Sequence, residues 1–273
     1  MTGLKTTISV QNLVKIYNGR RVLDGVNLDI EQGEIFVIMG GSGCGKSTLL
    51  RHMTGAISPD SGRVLIGDKE LTSMTNEEKE KIKQTFGMSF QSAALLDYLT
   101  VEENVSLPLK EHTKLDPKII SIIVRTKLNL VGLAGYENLQ PSMLSGGMRK
   151  RVGLARAIAM DPEFIFYDEP SAGLDPVVCA VVDQLIMDLS KKLLLTSVVV
   201  THNMESVFRI ADRVAMLHQG KVLQIGRPEE IKHSQNPIVQ QFIHGRLEGP
   251  ITKNETKAGV AIDVEMEEGG LSH

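Results

Sequence analysis

Gly40-Gly41-Ser42-Gly43-Cys44-Gly45-Lys46-Ser47-Thr48 is the stretch that decides the fold. It matches the pattern G-x-x-x-x-G-K-[S/T] and lies between a short apolar run (34–39) and a predicted helix (46–53). Strand, glycine-rich loop and helix in this order begin a βαβ unit whose backbone N–H groups face a polyphosphate. We predict that residues 40–48 bind nucleotide phosphates, that Lys46 reaches the terminal phosphates, and that Ser47 ligates Mg²⁺. A glycine-rich turn without a ligand is the alternative, and the loop alone does not separate kinases, GTPases and transport ATPases.

Composition indicates a folded chain. Hydrophobic residues make up 42% of the 273 residues, an ordinary share for a globular protein. Cys44 and Cys179 are the two cysteines, and their separation gives no disulfide framework, as expected in a reducing cytoplasm. For Cys44, packing of the loop is the favoured interpretation over redox sensing. The longest apolar run (193–200) is far shorter than the roughly 18–20 residues that span a bilayer, so we expect a soluble chain that reaches membranes through a partner.

The charge is concentrated at the C-terminal end. The formal net charge is −3, and residues 251–273 contain two lysines and five acidic residues. The remaining chain is therefore neutral, which gives no reason to expect a nucleic-acid partner. We predict that this tail is disordered, with dimer contacts by residues 241–250 and part of the tail as the sharper hypothesis.

Strand and helix patterns alternate along most of the chain. A mostly parallel sheet with helices on both faces follows from this alternation, and a block of helices between residues 93 and 159, punctuated by prolines 108, 117 and 141, interrupts it. Turns are predicted at Asn18-Gly19 and Gln219-Gly220, and a helix start at Asp116-Pro117. The predicted β-segments are 7–30, 63–66, 164–167, 197–201 and 213–225, and the later helices are 177–192 and 203–210.

Two acidic residues end the apolar run 164–167. A buried strand that ends in Asp168 places a carboxylate near the Mg²⁺ of a nucleotide, and Glu169 can accept a proton from an attacking water. A strand that ends in solvated acidic residues is the alternative. The motif indicates a catalytic site only because the same chain also contains the phosphate loop.

Leu144-Ser145-Gly146-Gly147-Met148 precedes a predicted long helix, 149–160. A second glycine-rich helix start in the same chain is consistent with a second phosphate-binding site. The alternative is a simple helix cap, because Ser is a frequent N-cap residue.

With these motifs, the chain over residues 8–231 resembles the nucleotide-binding subunits of ATP-binding-cassette (ABC) transporters. The resemblance implies an α/β fold: a P-loop NTPase (RecA-like) core with an N-terminal antiparallel β-subdomain and an inserted α-helical subdomain at about 93–161. It also implies an ATPase domain over 1–245 and a C-terminal extension over 246–273. The motifs occur in the family's order: Tyr17, the phosphate loop, Gln91, residues 144–148, Asp168-Glu169, residues 171–176 and His202.

The resemblance also assigns roles. Tyr17 would stack on adenine, and Gln91 would contact Mg²⁺ and the attacking water and sense the membrane partner. His202 would contact the γ-phosphate, with Glu169 as the general base and Asp168 as a metal ligand. Without the other motifs, each of Tyr17, Gln91 and His202 would be an ordinary polar or aromatic residue.

The same resemblance implies a homodimer. Ser145, Gly146, Gly147 and Met148 would complete the ATP site of the opposite subunit, and Asp175 would connect the two sites. Two ATP molecules, each with Mg²⁺, would be bound between the two subunits at a head-to-tail interface. One chain should then bind ATP but hydrolyse it poorly.

Two features indicate a subfamily. The family's usual Gln is replaced by Met148, which is similar to the ATPases of Mce-type (Mla-type) phospholipid transporters, and residues 236–245 and 248–250 resemble the C-terminal end of those ATPases. That resemblance implies phospholipid transport between membranes and a peripheral location on the cytoplasmic face of the bacterial inner membrane. The implied partners are an MlaE-like permease, an MlaD-like Mce-domain protein and an MlaB-like STAS-domain protein. An ABC importer or exporter ATPase for another cargo, such as an amino acid or a lipoprotein, is the main alternative. A cassette protein of translation or DNA repair, or a regulatory module without turnover, fits the motifs less well.

Overall fold

The computed structural model of the chain describes residues 6–252. An N-terminal antiparallel sheet has the strand order β2-β1-β4-β5. Its strands are β1 (Thr6–Tyr17), β2 (Arg20–Glu31), β4 (Ser61–Ile66) and β5 (Lys69–Glu70). The predicted disordered tail covers residues 251–273; Ile251 and Thr252 are helical, and residues 253–273 lie outside the described residues.

The hairpin of β1 and β2 confirms the turn predicted at Asn18-Gly19. Both turn residues have positive φ, 50° and 77°, as a two-residue hairpin turn with the right-handed strand twist requires. In β2, every second residue near its end is buried, including Val26, Leu28 and Ile30. This alternation places one face of the sheet on the core.

A second sheet of six strands has the order β10-β9-β3-β8-β7-β6. The neighbouring pairs from β9 through β3, β8 and β7 to β6 are all parallel, and β10 pairs antiparallel with β9. β3 is buried at all five residues, because it lies inside the sheet between β8 and β9. These strands are β3 (Ile35–Met39), β6 (Phe86–Ser89), β7 (Phe164–Asp168), β8 (Thr196–Thr201), β9 (Arg213–His218) and β10 (Lys221–Gly226).

The carboxyl ends of β3, β7 and β8 lie at one edge of the parallel sheet, where ligands bind in open α/β folds. The helices that follow are α1 (Lys46–Met53), α6 (Pro176–Leu193) and α7 (Met204–Ile210). One hydrophobic core includes residues of both sheets and of α1, among them Leu28, Phe36 and Leu49. The core therefore fixes α1 and the loop before it.

The predicted helical block contains three helices and one 3₁₀ turn, Pro141–Met143. The helices are α3 (Val101–His112), α4 (Pro117–Leu130) and α5 (Gly146–Ala157), and Asp116 caps α4 as predicted. Two expectations are wrong. α5 begins at Gly146 rather than at residue 149, because Ser145 caps it, and it ends at Ala157 rather than at residue 160. Pro108 lies inside α3 and does not interrupt it.

Other helices and short strands were absent from the sequence prediction. They are β5 and β6, given above, and α2 (Asn76–Lys83), α8 (Pro228–Lys232) and α9 (Pro237–His244). The chain divides into two compact units, one ending at Ile231 and one starting at Lys232. The boundary at 245/246 stays a prediction. Within residues 6–252, no helix has the length and apolar character to cross a membrane.

Candidate active site

The loop of residues 40–48 leaves the carboxyl end of β3 and packs against two other strands. A Cβ on Gly40 would lie 2.2 Å from the carbonyl oxygen of Leu217 in β9. A Cβ on Gly45, whose φ is 109°, would lie 2.8 Å from the carbonyl oxygen of Val22 in β2. Both positions need glycine, because any side chain would push the loop away from its supports.

Cys44 lies buried within this loop, as the packing interpretation expects. Burial raises the pKa of its thiol above the ordinary value. Less thiolate at neutral pH disfavours oxidation and redox sensing.

Lys46 begins α1 and turns its side chain back into the loop. Its Nζ donates to the carbonyl oxygens of Gly40 at 2.9 Å and Gly41 at 3.0 Å. The first turn of α1 carries no acidic residue, so the partial positive charge of the helix N-terminus is not neutralised there. The loop thus presents an ammonium group and a helix N-terminus together, which suits an anion.

Ser47 and Asp168 meet across the end of the sheet. The Ser47 hydroxyl donates to Asp168 Oδ1 at 3.2 Å. Desolvation raises the pKa of the Asp168 carboxyl, and the Ser47 hydrogen bond opposes that shift. A hydroxyl and a carboxylate oxygen are ligands that Mg²⁺ accepts, so the pair fits the ion. Across residues 6–252, no group of three or more His, Cys, Asp and Glu side chains could hold a metal ion.

Glu169 lies immediately after β7 with a φ of 49°, an uncommon conformation for a non-glycine residue. Its Oε1 is 2.8 Å from His202 Nδ1, and its Oε2 accepts from the Thr201 hydroxyl at 3.1 Å and the His202 N–H at 3.4 Å. The carboxylate side chain is 12% exposed, whereas the His202 side chain is 64% exposed. Strain of this kind, held in place by three hydrogen bonds, points to a functional position.

Gln91 is exposed just beyond the carboxyl end of β6, and its carbonyl oxygen accepts a hydrogen bond from Lys150 Nζ. The same ammonium lies 3.4 Å from the carbonyl oxygen of Glu169. Lys150 on α5 therefore links the segments that carry the two predicted catalytic side chains. Burial lowers its pKa, with the Glu169 charge acting in the opposite direction.

The remaining predicted residues make their contacts elsewhere. Ser145 Oγ accepts from the Met148 N–H at 3.2 Å and caps α5, while Asp175 Oδ1 accepts from the N–H groups of Val177 and Val178 at 3.0 Å and caps α6. The ring of Tyr17 is half-exposed, and the Lys15 ammonium lies 5.4 Å from its centre. The hydrogen bonds around the loop thus connect Lys46, Ser47 and Asp168, and those around Glu169 form a second group.

Sequence reasoning missed Thr201 and Lys150. Thr201 ends an apolar strand directly before His202, so the polar end of β8 was a usable signal. Lys150 gave none, because its partners are 59 and 19 residues away in sequence.

A strand, a phosphate loop with an inward lysine, and a Ser–Asp pair at the same sheet edge define the class as a P-loop nucleotide-binding protein. A family model described as "ABC transporter" matches residues 23–172. The dimeric ATP-binding cassette MJ0796, solved in a post-hydrolysis state with ADP and Pi, is 31% identical with a TM-score of 0.75, over 81% of this chain and 98% of that one. CbiO1 of Clostridium perfringens is 29% identical with a TM-score of 0.78, over 93% of this chain and 99% of that one.

Curated relatives agree with this assignment. The ATP-binding protein MlaF of an intermembrane phospholipid transport system in Haemophilus influenzae is 41% identical, over 89% of this chain and 92% of the relative. A probable ribonucleotide transport ATP-binding protein, mkl of Mycobacterium leprae, is also 41% identical, over 92% of this chain and 72% of the relative. The chain belongs to the ABC transporter family and is an ABC-type ATPase. The predicted α/β P-loop fold is confirmed.

Proposed function

We propose that this chain is the ATP-hydrolysing subunit of an ABC transporter that drives phospholipid transport between bacterial membranes. The name of the MlaF relative, which this chain matches over 92% of its length, is the observation that carries the proposal. Met148 supports it, and residues 236–245 and 248–250 support it from outside the ATPase motifs. The proposed location is the cytoplasmic face of the inner membrane, bound to an MlaE-like permease, with MlaD-like and MlaB-like proteins in the same complex.

Nucleotide binding is assigned to the loop 40–48. When phosphates enter, Lys46 exchanges the carbonyl oxygens of Gly40 and Gly41 for phosphate oxygens, and backbone N–H groups bind the rest. Ser47, Asp168 and Gln91 would hold Mg²⁺, which when bound supplies positive charge against the phosphates. Tyr17 is assigned to adenine.

Glu169 is assigned as the general base. Thr201 and His202 hold both of its oxygens, and Oε1, which has a single partner, keeps a lone pair for a water molecule. His202, with most of its ring exposed, is free to turn its other nitrogen toward the γ-phosphate. Lys46 stabilises the charge that develops during phosphoryl transfer.

Ser145, Gly146, Gly147 and Met148 are assigned to the ATP site of a second copy. In this chain Ser145 and Gly146 at the start of α5 are exposed, and the first N–H groups of a helix have no partner within it, so a phosphate could accept from them. The Met148 N–H already donates to Ser145 Oγ. Two chains would therefore share two sites, and Asp175 at the start of α6 would lie between them.

Substitution of Glu169→Gln tests the ATPase assignment. The amide keeps the shape but cannot take a proton, so we expect hydrolysis to fall by about 10²–10⁴-fold while ATP binding stays. Steady-state ATPase rates and size-exclusion chromatography with ATP measure both, and the variant should accumulate as an ATP-bound dimer. Undiminished turnover would sink the general-base assignment.

Cargo needs a separate experiment, because the mkl relative is named for ribonucleotide transport and favours a second candidate function. We would purify the native membrane complex through this chain and identify the bound small molecules by mass spectrometry. Labelled phospholipid moving between vesicles only with ATP, and not with the Glu169→Gln complex, is the expected result. Bound ribonucleotides beyond ATP and ADP, with no lipid movement, would favour the second candidate.

A further inference from the structure

Asp183 is a fully buried carboxylate in the middle of α6. Its Oδ2 accepts from the Ser206 hydroxyl at 2.9 Å and from Arg209 Nη1 at 2.6 Å, and both donors belong to α7. Its Oδ1 is buried and finds no hydrogen-bond partner in the described part of the chain. Asp183 therefore joins α6 to α7 through one oxygen of its desolvated carboxylate.

Stability alone does not account for this group. Burying the Asp183 carboxylate costs about as much as its attraction to the Arg209 guanidinium, which is 36% exposed, returns, and apolar residues often hold such a contact as well. The unpaired Oδ1 adds a further cost. An apolar pair would join α6 and α7 at lower cost, so the charged pair calls for another explanation.

A chain of hydrogen bonds runs from Asp183 to the proposed base. Beyond Ser206, the backbone N–H of that residue donates to Asn203 Oδ1 at 3.2 Å. The Asn203 N–H donates to the Thr201 hydroxyl at 3.1 Å, and that hydroxyl donates to Glu169 Oε2 at 3.1 Å. His202 lies between Thr201 and Asn203 in sequence, and its Nδ1 is 2.8 Å from Glu169 Oε1. Asp183 is thus connected to Glu169 and, through Glu169, to the His202 ring.

The other end of α6 is its N-cap Asp175, whose carboxylate binds the first N–H groups of the helix. Asp183 lies about two turns along the same continuous helix. Because the helix is stiff over this distance, a shift of the segment that ends at Asp175 moves Asp183 with it.

We propose that Asp183 is a positioning residue for ATP hydrolysis. Through Ser206 and α7 it sets the place of the Glu169–His202 pair relative to the segment before α6. Movement of that segment, when a second copy binds against it, is then transmitted to the carboxylate that receives the proton. The inference rests on the proposed role of Glu169 as general base.

The test replaces the hydrogen bonds of Asp183 with Ser206 and Arg209 by apolar contacts. In the triple variant Asp183→Leu, Ser206→Ala, Arg209→Leu, the helices stay in contact but the hydrogen bonds to Asp183 are gone. We expect kcat for ATP to fall about tenfold, because small misplacements of reacting groups have effects of this size. The KM for ATP should stay within about twofold, because the phosphate loop is untouched. The melting temperature should stay near that of the wild type.

Matched variants separate positioning from folding. Asp183→Asn keeps an oxygen for Ser206 and should retain most of kcat. Asp188→Asn removes an exposed carboxylate from the same helix and should change nothing. If the triple variant does not fold, Ser206→Ala alone removes the hydrogen bond from the Ser206 hydroxyl to Asp183 and should lower kcat at unchanged KM.

A wild-type kcat in the folded triple variant, or in Ser206→Ala when the triple does not fold, would overturn the inference. The inference would also be overturned if kcat fell in these variants only in proportion to a fall in melting temperature. Failure of the proposed function would be seen separately, as unchanged turnover in Glu169→Gln. An inactive Glu169→Gln protein together with a fully active triple variant would contradict the role of Asp183 alone.

Discussion

Asp168 is a carboxyl whose ionisation the fold disfavours. Desolvation raises its pKa above the usual 3.8, so the folded chain binds this proton more tightly than the unfolded chain. Stability is therefore lost as pH rises from about 3.8 through the raised pKa. The charge is kept in spite of this cost, which is consistent with a role in binding a cation.

Substitution of Asp168→Asn should remove the penalty. Without nucleotide, we expect a higher melting temperature than the wild type at pH 7, and the difference should shrink as the pH falls toward 4. Thermal unfolding at a series of pH values measures this, with Asp188→Asn as the control for removing an exposed charge. A variant less stable than the wild type at every pH would contradict the desolvation argument.

Gly146 and Gly147 differ although they are neighbours. A Cβ on Gly147 would lie 2.7 Å from Val178 Cγ1, while a Cβ on Gly146 would lie 3.5 Å from Leu174 Cδ2, an ordinary contact. Val is stiff about χ1 and cannot move aside cheaply. Gly147 thus sets how closely α5 approaches α6.

Gly147→Ala should lower the free energy of unfolding by about 1–3 kcal/mol from overpacking. Gly146→Ala should leave it unchanged or raise it by up to about 1 kcal/mol, because Ala favours the helix. Urea unfolding measures both. The double variant Gly147→Ala, Val178→Ala should recover part of the loss, and equal effects of the two single variants would rule out the close approach as the cause.

Residues that act through local sequence were predictable, and residues that act across the chain were not. Gly40, Lys46, Ser47 and Asp168 came from short motifs whose spacing reflects phosphate chemistry. The contact of Asp183 with Arg209 joins residues 26 positions apart, and the local sequence does not identify the partner. Its charge in an otherwise apolar helix face was the available signal.

The turn at Ala93-Ala94, in the loop after Gln91, is bridged by one side chain of α5. Ala93 and Ala94 both have positive φ, 62° and 46°, which is unfavourable for alanine. Arg156 on α5 donates to both of their carbonyl oxygens at 2.7 Å. We infer that the guanidinium holds the loop in this strained shape.

Arg156→Gln should release the loop. Amide hydrogen exchange in residues 91–97 should speed up, because the strained turn loses its two charged hydrogen bonds. The kcat for ATP should fall more than ATP binding, since Gln91 starts this segment. Arg125→Gln, an exposed arginine of α4, is the control. Unchanged exchange in 91–97 would show that other contacts hold the loop.

Elements with strong periodicity or turn signals were predicted close to their true bounds. β3, α1 and the hairpin of β9 and β10 are examples, because buried strands and Gln219-Gly220 leave clear patterns. α2 was missed because its residues Asn76–Lys83 are almost all charged and none is buried. Its capping box at Thr75 and Glu78 was the sequence signal that could have identified it.

At the scale of the whole molecule, the hydrogen bonds of one chain separate the predicted site residues into two groups. The phosphate loop and the Glu169 group lie at one sheet edge, while Ser145 makes only a cap contact at the start of α5. In the proposed homodimer, Ser145 of one copy would lie against the phosphate loop of the other, so the two groups would belong to one site shared by two chains.

The most direct measurement mixes two inactive variants, Lys46→Ala and Ser145→Arg. Lys46→Ala has a defective phosphate loop and an intact Ser145 region. Ser145→Arg has an intact phosphate loop and a defective Ser145 region. Each alone should be inactive, because every site contains one defective half. In mixed dimers one site has both intact halves, so ATPase activity should return to roughly a quarter of the wild-type rate by random pairing. The control mixes Lys46→Ala with the double variant Lys46→Ala, Ser145→Arg and should stay inactive. Recovery in the first mixture alone is the predicted result, and no recovery in either mixture, with dimers formed, would contradict a shared site.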